Sequence, residues 1–213
     1  MTRSRRGLSA LLWCALLMIS AVPFANATTF KRQATIVDLL NHSELIIHGR
    51  VINLTDGIDQ RGIPYTEVTI RVSETIKGQV SGDYTFRQFG LLKPRKMDNG
   101  LTNLMVTPAS WATFTKGEDT ILFLHKSAAW TGLRTTAGLG QGKFNLQIAG
   151  AINQVNNSGL FKNVYVDQSV LGDTEKRVMA TKKGPVNAKG FMSLVKQAVD
   201  GRWVEEGKMR NEK

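Results

Sequence analysis

The stretch Glu67-Val68-Thr69-Ile70-Arg71-Val72-Ser73-Glu74-Thr75-Ile76 decides the fold. Val68, Ile70, Val72 and Ile76 alternate with Glu67, Thr69, Arg71, Ser73 and Thr75. A period of two with one polar side is the mark of a strand with one face on a core and the other in water. Antiparallel sheets carry that pattern. Lys77-Gly78 ends the strand, and Gly82-Asp83 opens another through Tyr84, Phe86 and Phe89. On the other side, Thr55 to Pro64 holds Asp56-Gly57 and Arg61-Gly62 and reads as a hairpin loop. Leu45 to Ile52 is its first strand, with Leu45, Ile47, Gly49 and Val51 on one face and Ile46, His48, Arg50 and Ile52 on the other.

Farther out, Thr35-Ile36-Val37-Asp38 has the form of a capped helix start, and a short helix is expected to about Asn41. Ile121-Leu122-Phe123-Leu124 is a continuous apolar run, expected as a central strand covered on both sides. Lys143–Ile148, Ile152–Val155 and Phe161–Val166 are expected as further strands. Phe191, Leu194, Val195, Ala198 and Val199 recur at helical spacing behind Asn187 as N-cap, with Gly201 just past the end, which predicts an amphipathic helix over about 187–200. Residues 201–213 are charged and expected to fray. The expected fold is mainly β: a small closed or partly open antiparallel barrel with a short N-terminal helix and a C-terminal amphipathic helix. Closure is the usual way in which a sheet of this size removes its edges.

The N-terminus reads as a secretory leader. Arg3, Arg5 and Arg6 precede an apolar run from Leu8 to Val22, followed by Pro23 and by Ala25-Asn26-Ala27. Cleavage is expected after Ala27, leaving a single domain over 28–200 and a tail. The apolar run is too short for a membrane span of about 20 residues, so no stable span is expected after cleavage. Cys14, the single cysteine, lies inside the leader. The cleaved chain then has no thiol, which excludes disulfides, thiolate metal sites and cysteine nucleophiles. The expected destination is the periplasm or the exterior.

The formal charge is +11, and removal of the three leader arginines leaves +8. A surplus of that size suits attraction to anionic envelope surfaces, and equally a plain solvated basic surface; outside the cell, nucleic acid is not an expected partner. The candidate contacts lie in residues 90–107, which lose the strand pattern and read as a long exposed loop. Lys93, Arg95 and Lys96 stand there around Pro94, and Trp111 follows as a possible apolar anchor.

No motif for chemistry is found. His42, His48 and His125 lack the spacing that aims imidazoles at one ion. There is no Gly-x-Ser-x-Gly elbow. Gly138-Leu139-Gly140-Gln141-Gly142-Lys143 fails as a phosphate loop because Ala137 and Phe144 stand at its required positions, and it reads instead as a turn or bulge. Glu118-Asp119 belongs to a turn. No catalytic residue, metal site or cofactor is expected.

The order of blocks resembles that of a group of uncharacterised exported bacterial proteins from about Thr35 to Val155. The matching blocks are Ser43 to Val51, Tyr65-Thr66 with Ile76-Lys77-Gly78, Gly82-Asp83, Gly117-Glu118-Asp119 with Ile121 to Leu124, and Gly140-Gln141-Gly142-Lys143-Phe144. The first four also resemble the netrin-like fold of tissue inhibitors of metalloproteinases, an oligonucleotide/oligosaccharide-binding (OB-type) barrel with a flanking helix. This chain lacks the disulfides and the N-terminal cysteine through which those inhibitors chelate zinc. The resemblance therefore implies the barrel and no functional residue. The expectation is an exported, non-enzymatic binding module that meets an envelope component or protein partner through loops. The alternatives are an envelope hydrolase built from scattered polar residues, and a structural or accessory subunit marked by an exposed apolar patch.

Overall fold

The computed structural model describes residues 33–149, 152–156 and 159–212. The leader read over 1–27, with its cut after Ala27, lies outside the described residues. The protein is mainly β, with a five-stranded antiparallel sheet and a few helices. Helix α1 (Ile36–His42) leads into β1 (Leu45–Ile58), β2 (Pro64–Lys77) and β3 (Asp83–Phe89). A small ribbon follows, β4 (Arg95–Lys96) and β5 (Thr102–Asn103), and then β6 (Asp119–Leu124) and β7 (Lys143–Asn145). The main sheet runs β3-β2-β1-β6-β7. Its edges are β3 and β7, and no pairing joins them among the described residues, so the sheet is an open one as described.

The alternation in the sequence is what sorts this sheet into two cores. Leu45, Ile47 and Val51 share one face with Val68, Ile70, Leu122 and Leu124. Ile46, Ile121 and Phe123 lie on the other with α1. Ile121 to Leu124 is thus covered on both sides, as expected, and all four side chains are fully buried. One detail differs from the simple alternation. Ile76 packs in the second core, not with Val68 and Ile70. The register skips Ser73 between the His48↔Glu74 and Gly49↔Val72 pairs, and it skips Ile76 itself between the Ile46↔Lys77 and Ile47↔Thr75 pairs; such irregularities break the simple alternation of faces.

The second core is completed by the C-terminal half. Strands β8 (Gln147–Ala149), β9 (Ile152–Asn156) and β11 (Pro185–Asn187) form a three-stranded sheet in the order β11-β9-β8. Helices α2 (Asp173–Ala180) and α3 (Ala188–Asp200) pack with it, and Phe191 of α3 sits fully buried among Phe123, Phe144 and Phe161. Capping follows the sequence: Thr35 Oγ1 accepts from the Asp38 amide while the Asp38 carboxylate accepts from the Thr35 amide. Asn187 Oδ1 accepts from the Gly190 amide at 2.9 Å. Helix α2 was not foreseen, since Val178 and Met179 give it only a narrow apolar face. Its Glu175 is buried and accepts from Ser193 Oγ and Gln197 Nε2 of α3.

The tail corrects an expectation. Residues 201–213 are charged and expected to fray, yet Trp203 and Met209 are buried. Strand β12 (Met209–Asn211) pairs with β10 (Val164–Val166). Asn211 then reaches the start of α1, its Oδ1 accepting from Thr35 Oγ1 at 2.6 Å and its Nδ2 donating to Asp38 Oδ1 at 3.0 Å. Burial of two apolar side chains, strand pairing and the Asn211 bonds together dock the segment.

Candidate functional site

The loop expected over 90–107 is a projecting ribbon with a defined root. Gly90 adopts a φ of 101°, and a Cβ added there would overlap the Thr107 backbone, so a side chain would be both strained and obstructed. Leu91 is fully buried and its carbonyl accepts from the Thr107 amide at 3.0 Å. Asp56, near the end of β1, holds the ribbon from below. One carboxylate oxygen accepts from the Leu92 amide at 2.8 Å and the other pairs with the Arg95 guanidinium.

The candidate contacts therefore differ in kind. Lys93 and Lys96 are exposed, and neither makes an ion pair among the described residues. Arg95 is matched internally by Asp56 and acts as a clamp on the ribbon. Trp111 is half-buried, with its ring 6.3 Å from that of Phe89, which ends the strand from which the ribbon departs. It also borders a shallow cleft of about 320 Å³ shared with Lys143, Asn145, Gln147 and Asn156.

The feature missed by the sequence reading is apolar. Among the described residues, seven large hydrophobic side chains are exposed, and five belong to the ribbon: Leu92, Leu101, Leu104, Met105 and Val106. Leu101 and Leu104 are 67% and 71% exposed. Such residues scattered singly need no explanation, but five on one projection are a patch. Trp130, at 75% exposure, stands on a separate loop. Arg61 of the β1–β2 hairpin holds it, donating to the Trp130 carbonyl at 2.6 Å and lying 5.2 Å over the indole. The signal in the sequence was Leu104-Met105-Val106, an apolar triplet within a stretch otherwise read for its cations.

Polar clusters also occur away from the ribbon. His48 Nε2 lies 2.9 Å from Asp119 Oδ1, and Arg50 stands 3.9 Å from the other oxygen. His48 and Asp119 belong to adjoining strands of the larger sheet, where His48 pairs with Ile121 and Arg50 with Asp119 in the ladder. His42 and His125 bring their rings to 6.1 Å, edge to face. No group of three His, Cys, Asp or Glu side chains able to hold a metal ion occurs among the described residues. Lys143 donates to Glu118 Oε1 at 2.6 Å and to the Thr113 carbonyl, with its ammonium 4.8 Å over the Phe114 ring. Burial pushes this ammonium below the usual lysine range, and Glu118 pulls the other way. The glycine run before it forms a turn of 3-10 helix over Leu139–Gly142, in keeping with the turn expected there.

The fold and site thus define a mainly β protein with one apolar, cation-bearing ribbon at the edge of its larger sheet. Comparison with protein-family models, curated proteins and solved structures found no match. No helix among the described residues is long and apolar enough to cross a membrane.

Proposed function

We propose that this chain is an exported, non-enzymatic binding module that engages an envelope component or protein partner through the ribbon following β3. Export rests on the leader-like order of Arg3 to Ala27 and the confinement of Cys14 to it. The observation that carries the binding reading is the concentration of exposed apolar side chains beside Lys93 and Lys96 on a rooted projection. A rigid sheet presenting a loop is a common arrangement for recognition. The reading takes the open sheet as a partly open OB-like barrel. In support, the Arg134 amide donates to the Arg87 carbonyl at 2.7 Å, tying the segment after β6 to β3. Ala112 and Phe114 also fill the same core as Phe86, Leu122 and Leu124.

Affinity capture from the native envelope fraction, with the bound component identified by mass, tests it. Lys93→Gln with Lys96→Gln is expected to weaken retention and flatten its dependence on salt, while Arg95→Gln loosens the ribbon itself. Retention by the parent protein that is equal at low and high salt would remove the anionic partner from the proposal. The same exposed side chains favour one second reading, an accessory subunit of a larger assembly, for which capture yields a stoichiometric protein partner indifferent to salt.

A further inference from the structure

We propose a second binding site, for a neutral saccharide, in the cleft that Trp111 shares with residues of β7, β8 and β9. It is built from residues outside the ribbon and does not depend on the ribbon's partner.

The sequence marks this surface by what it omits. Residues 144–161 contain no Asp, Glu, Lys, Arg or His, in a chain of net charge +11, yet they hold Asn145, Gln147, Asn153, Gln154, Asn156 and Asn157. Three of these, Asn145, Gln147 and Asn156, are exposed and line the cleft together. A carboxamide carries a donor and an acceptor side by side and no charge. A sugar hydroxyl also both donates and accepts, so neighbouring hydroxyls match such groups without any ion.

The one cation of the cleft is already matched within the protein. Lys143 donates to Glu118 Oε1 at 2.6 Å and to the Thr113 carbonyl at 2.5 Å, which leaves little attraction for an anion. Glu118 Oε2 accepts from Asn145 Nδ2 at 3.2 Å. A carboxylate accepts and does not donate, so Asn145 must turn its amino group toward Glu118. Its Oδ1 is left as an acceptor with no protein donor among the described residues. Gln147 makes no side-chain hydrogen bond among the described residues, so its whole amide is available. The buried ion pair thus orients one amide, and an adaptable one stands two residues along the chain.

Trp111 adds an aromatic at the border of the cleft. Its segment is fixed to the glycine run: the Gly140 amide donates to the Ser110 carbonyl at 2.9 Å, an approach that a side chain at Gly140 would crowd. An indole joins a broad apolar surface to a polar N–H, which suits the alternating C–H and O–H groups of a sugar ring. A peptide added as a strand fits less well. Strand β9 already has β11 and β8 on its two sides, so at β9 the cleft offers side chains and not a free backbone ladder. Its volume of about 320 Å³ is at the small end for ligand clefts, roughly 300–1,000 Å³, and suits a short stretch of glycan.

The test is a titration of isotope-labelled protein, followed by nuclear magnetic resonance, with maltotriose, cellotriose and tri-N-acetylchitotriose. Each is taken to about 10 mM, enough to reveal a dissociation constant near 1 mM. Trigalacturonate and an N-acetylated, C-amidated trialanine serve as the anionic and peptide probes. At least one neutral trisaccharide is expected to shift the side-chain amide signals of Asn145 and Gln147 and the indole signal of Trp111. Its affinity is expected to be the same at low and high salt. Gln147→Ala is expected to lower that affinity by roughly threefold to tenfold and Trp111→Ala by about tenfold or more. Lys93→Gln with Lys96→Gln should leave it unchanged. Gln147 is exposed and unbonded, and an otherwise unchanged backbone spectrum confirms that its variant folds. Absence of these shifts with all three neutral sugars overturns the proposal, as does a Gln147→Ala variant that binds as well as the parent. Tighter, salt-dependent binding of trigalacturonate makes the cleft an anion site, and a response to trialanine alone makes it a peptide site; either result also overturns it. Sugar binding by a protein whose ribbon captures nothing from the envelope fraction leaves this proposal standing and removes the other.

Discussion

Arg95 pairs with Asp56, so the cation nearest the centre of the ribbon is matched within the protein and fixes the ribbon to the end of β1. Asp56 is the less exposed partner, and it also accepts from the Leu92 amide. The pair helps decide how the two neighbouring lysines and the exposed apolar side chains of the ribbon are presented.

Loss of this clamp is expected to act locally. Asp56→Ala removes both the ion pair and the acceptor for Leu92. Because the Arg95 side chain is partly exposed, the cost to global stability is about 1 kcal/mol or less. Limited proteolysis or amide exchange should show residues 92–106 opening faster while the sheet keeps its protection. A fall in protection throughout β1 and β2 would show that Asp56 supports the sheet and not the ribbon.

Gly49 faces the carbonyl oxygen of Arg71 across the β1–β2 pair, and a Cβ there would overlap it and the Ile70 side chain. The register shift at Ser73 lies beside this point. Gly49→Ala is expected to destabilise the protein by about 1–3 kcal/mol, the usual cost of forcing volume into a packed site. Urea unfolding gives the figure. An unchanged midpoint would mean that the strands separate freely at the bulge.

How much of this was legible follows from the same residues. Alternation at Val68, Ile70 and Val72 and the apolar run at Ile121 to Leu124 announced a sheet, because the period of a strand is written locally. Ser73 left no such mark, since a bulge is set by how two distant strands meet. The Arg95–Asp56, His48–Asp119 and Lys143–Glu118 pairs were invisible for the same reason: each joins segments that only the sheet brings together. Lys93, Lys96 and Trp111 were found by type, and the structure distinguishes them by what surrounds each. The apolar ribbon was in view at Leu104-Met105-Val106 but was outweighed by the adjacent cations.

Removal of the tail tests the correction made above. Trp203 is 4% exposed and Met209 is fully buried. Trp203→Ala is expected to cost about 3–5 kcal/mol by leaving a cavity in the larger core. Asn211→Ala should cost less, about 1 kcal/mol, as bonds to Thr35 and Asp38 at the start of α1 are lost. Thermal unfolding measures both, and a frayed tail would leave the melting temperature untouched.

The Lys143–Glu118 pair gives a prediction with a sign in pH. Their side chains are only 10% and 14% exposed, so Lys143→Met strands a carboxylate that keeps just the Thr115 amide and Asn145 Nδ2 as donors. Loss of about 1–3 kcal/mol is expected, and Lys143→Met with Glu118→Gln should recover part of it. The ammonium of the folded protein titrates below the ordinary value of 10.5 because it is desolvated. Between the folded and unfolded values the unfolded chain holds more protons, so this group's contribution rises with pH across that window. It is fully present above the unfolded value and is lost as pH falls through the folded one. Tyr84 opposes it: burial raises its phenol above the usual 10.0, so the unfolded chain ionises first and stability falls as pH climbs past that point. The Lys143 contribution is therefore read as the difference between the parent protein and Lys143→Met in urea unfolding over the alkaline range. That difference should widen in favour of the parent as pH rises. A constant difference would mean that the ammonium is as well solvated by Glu118, the Thr113 carbonyl and the Phe114 ring as it is by water.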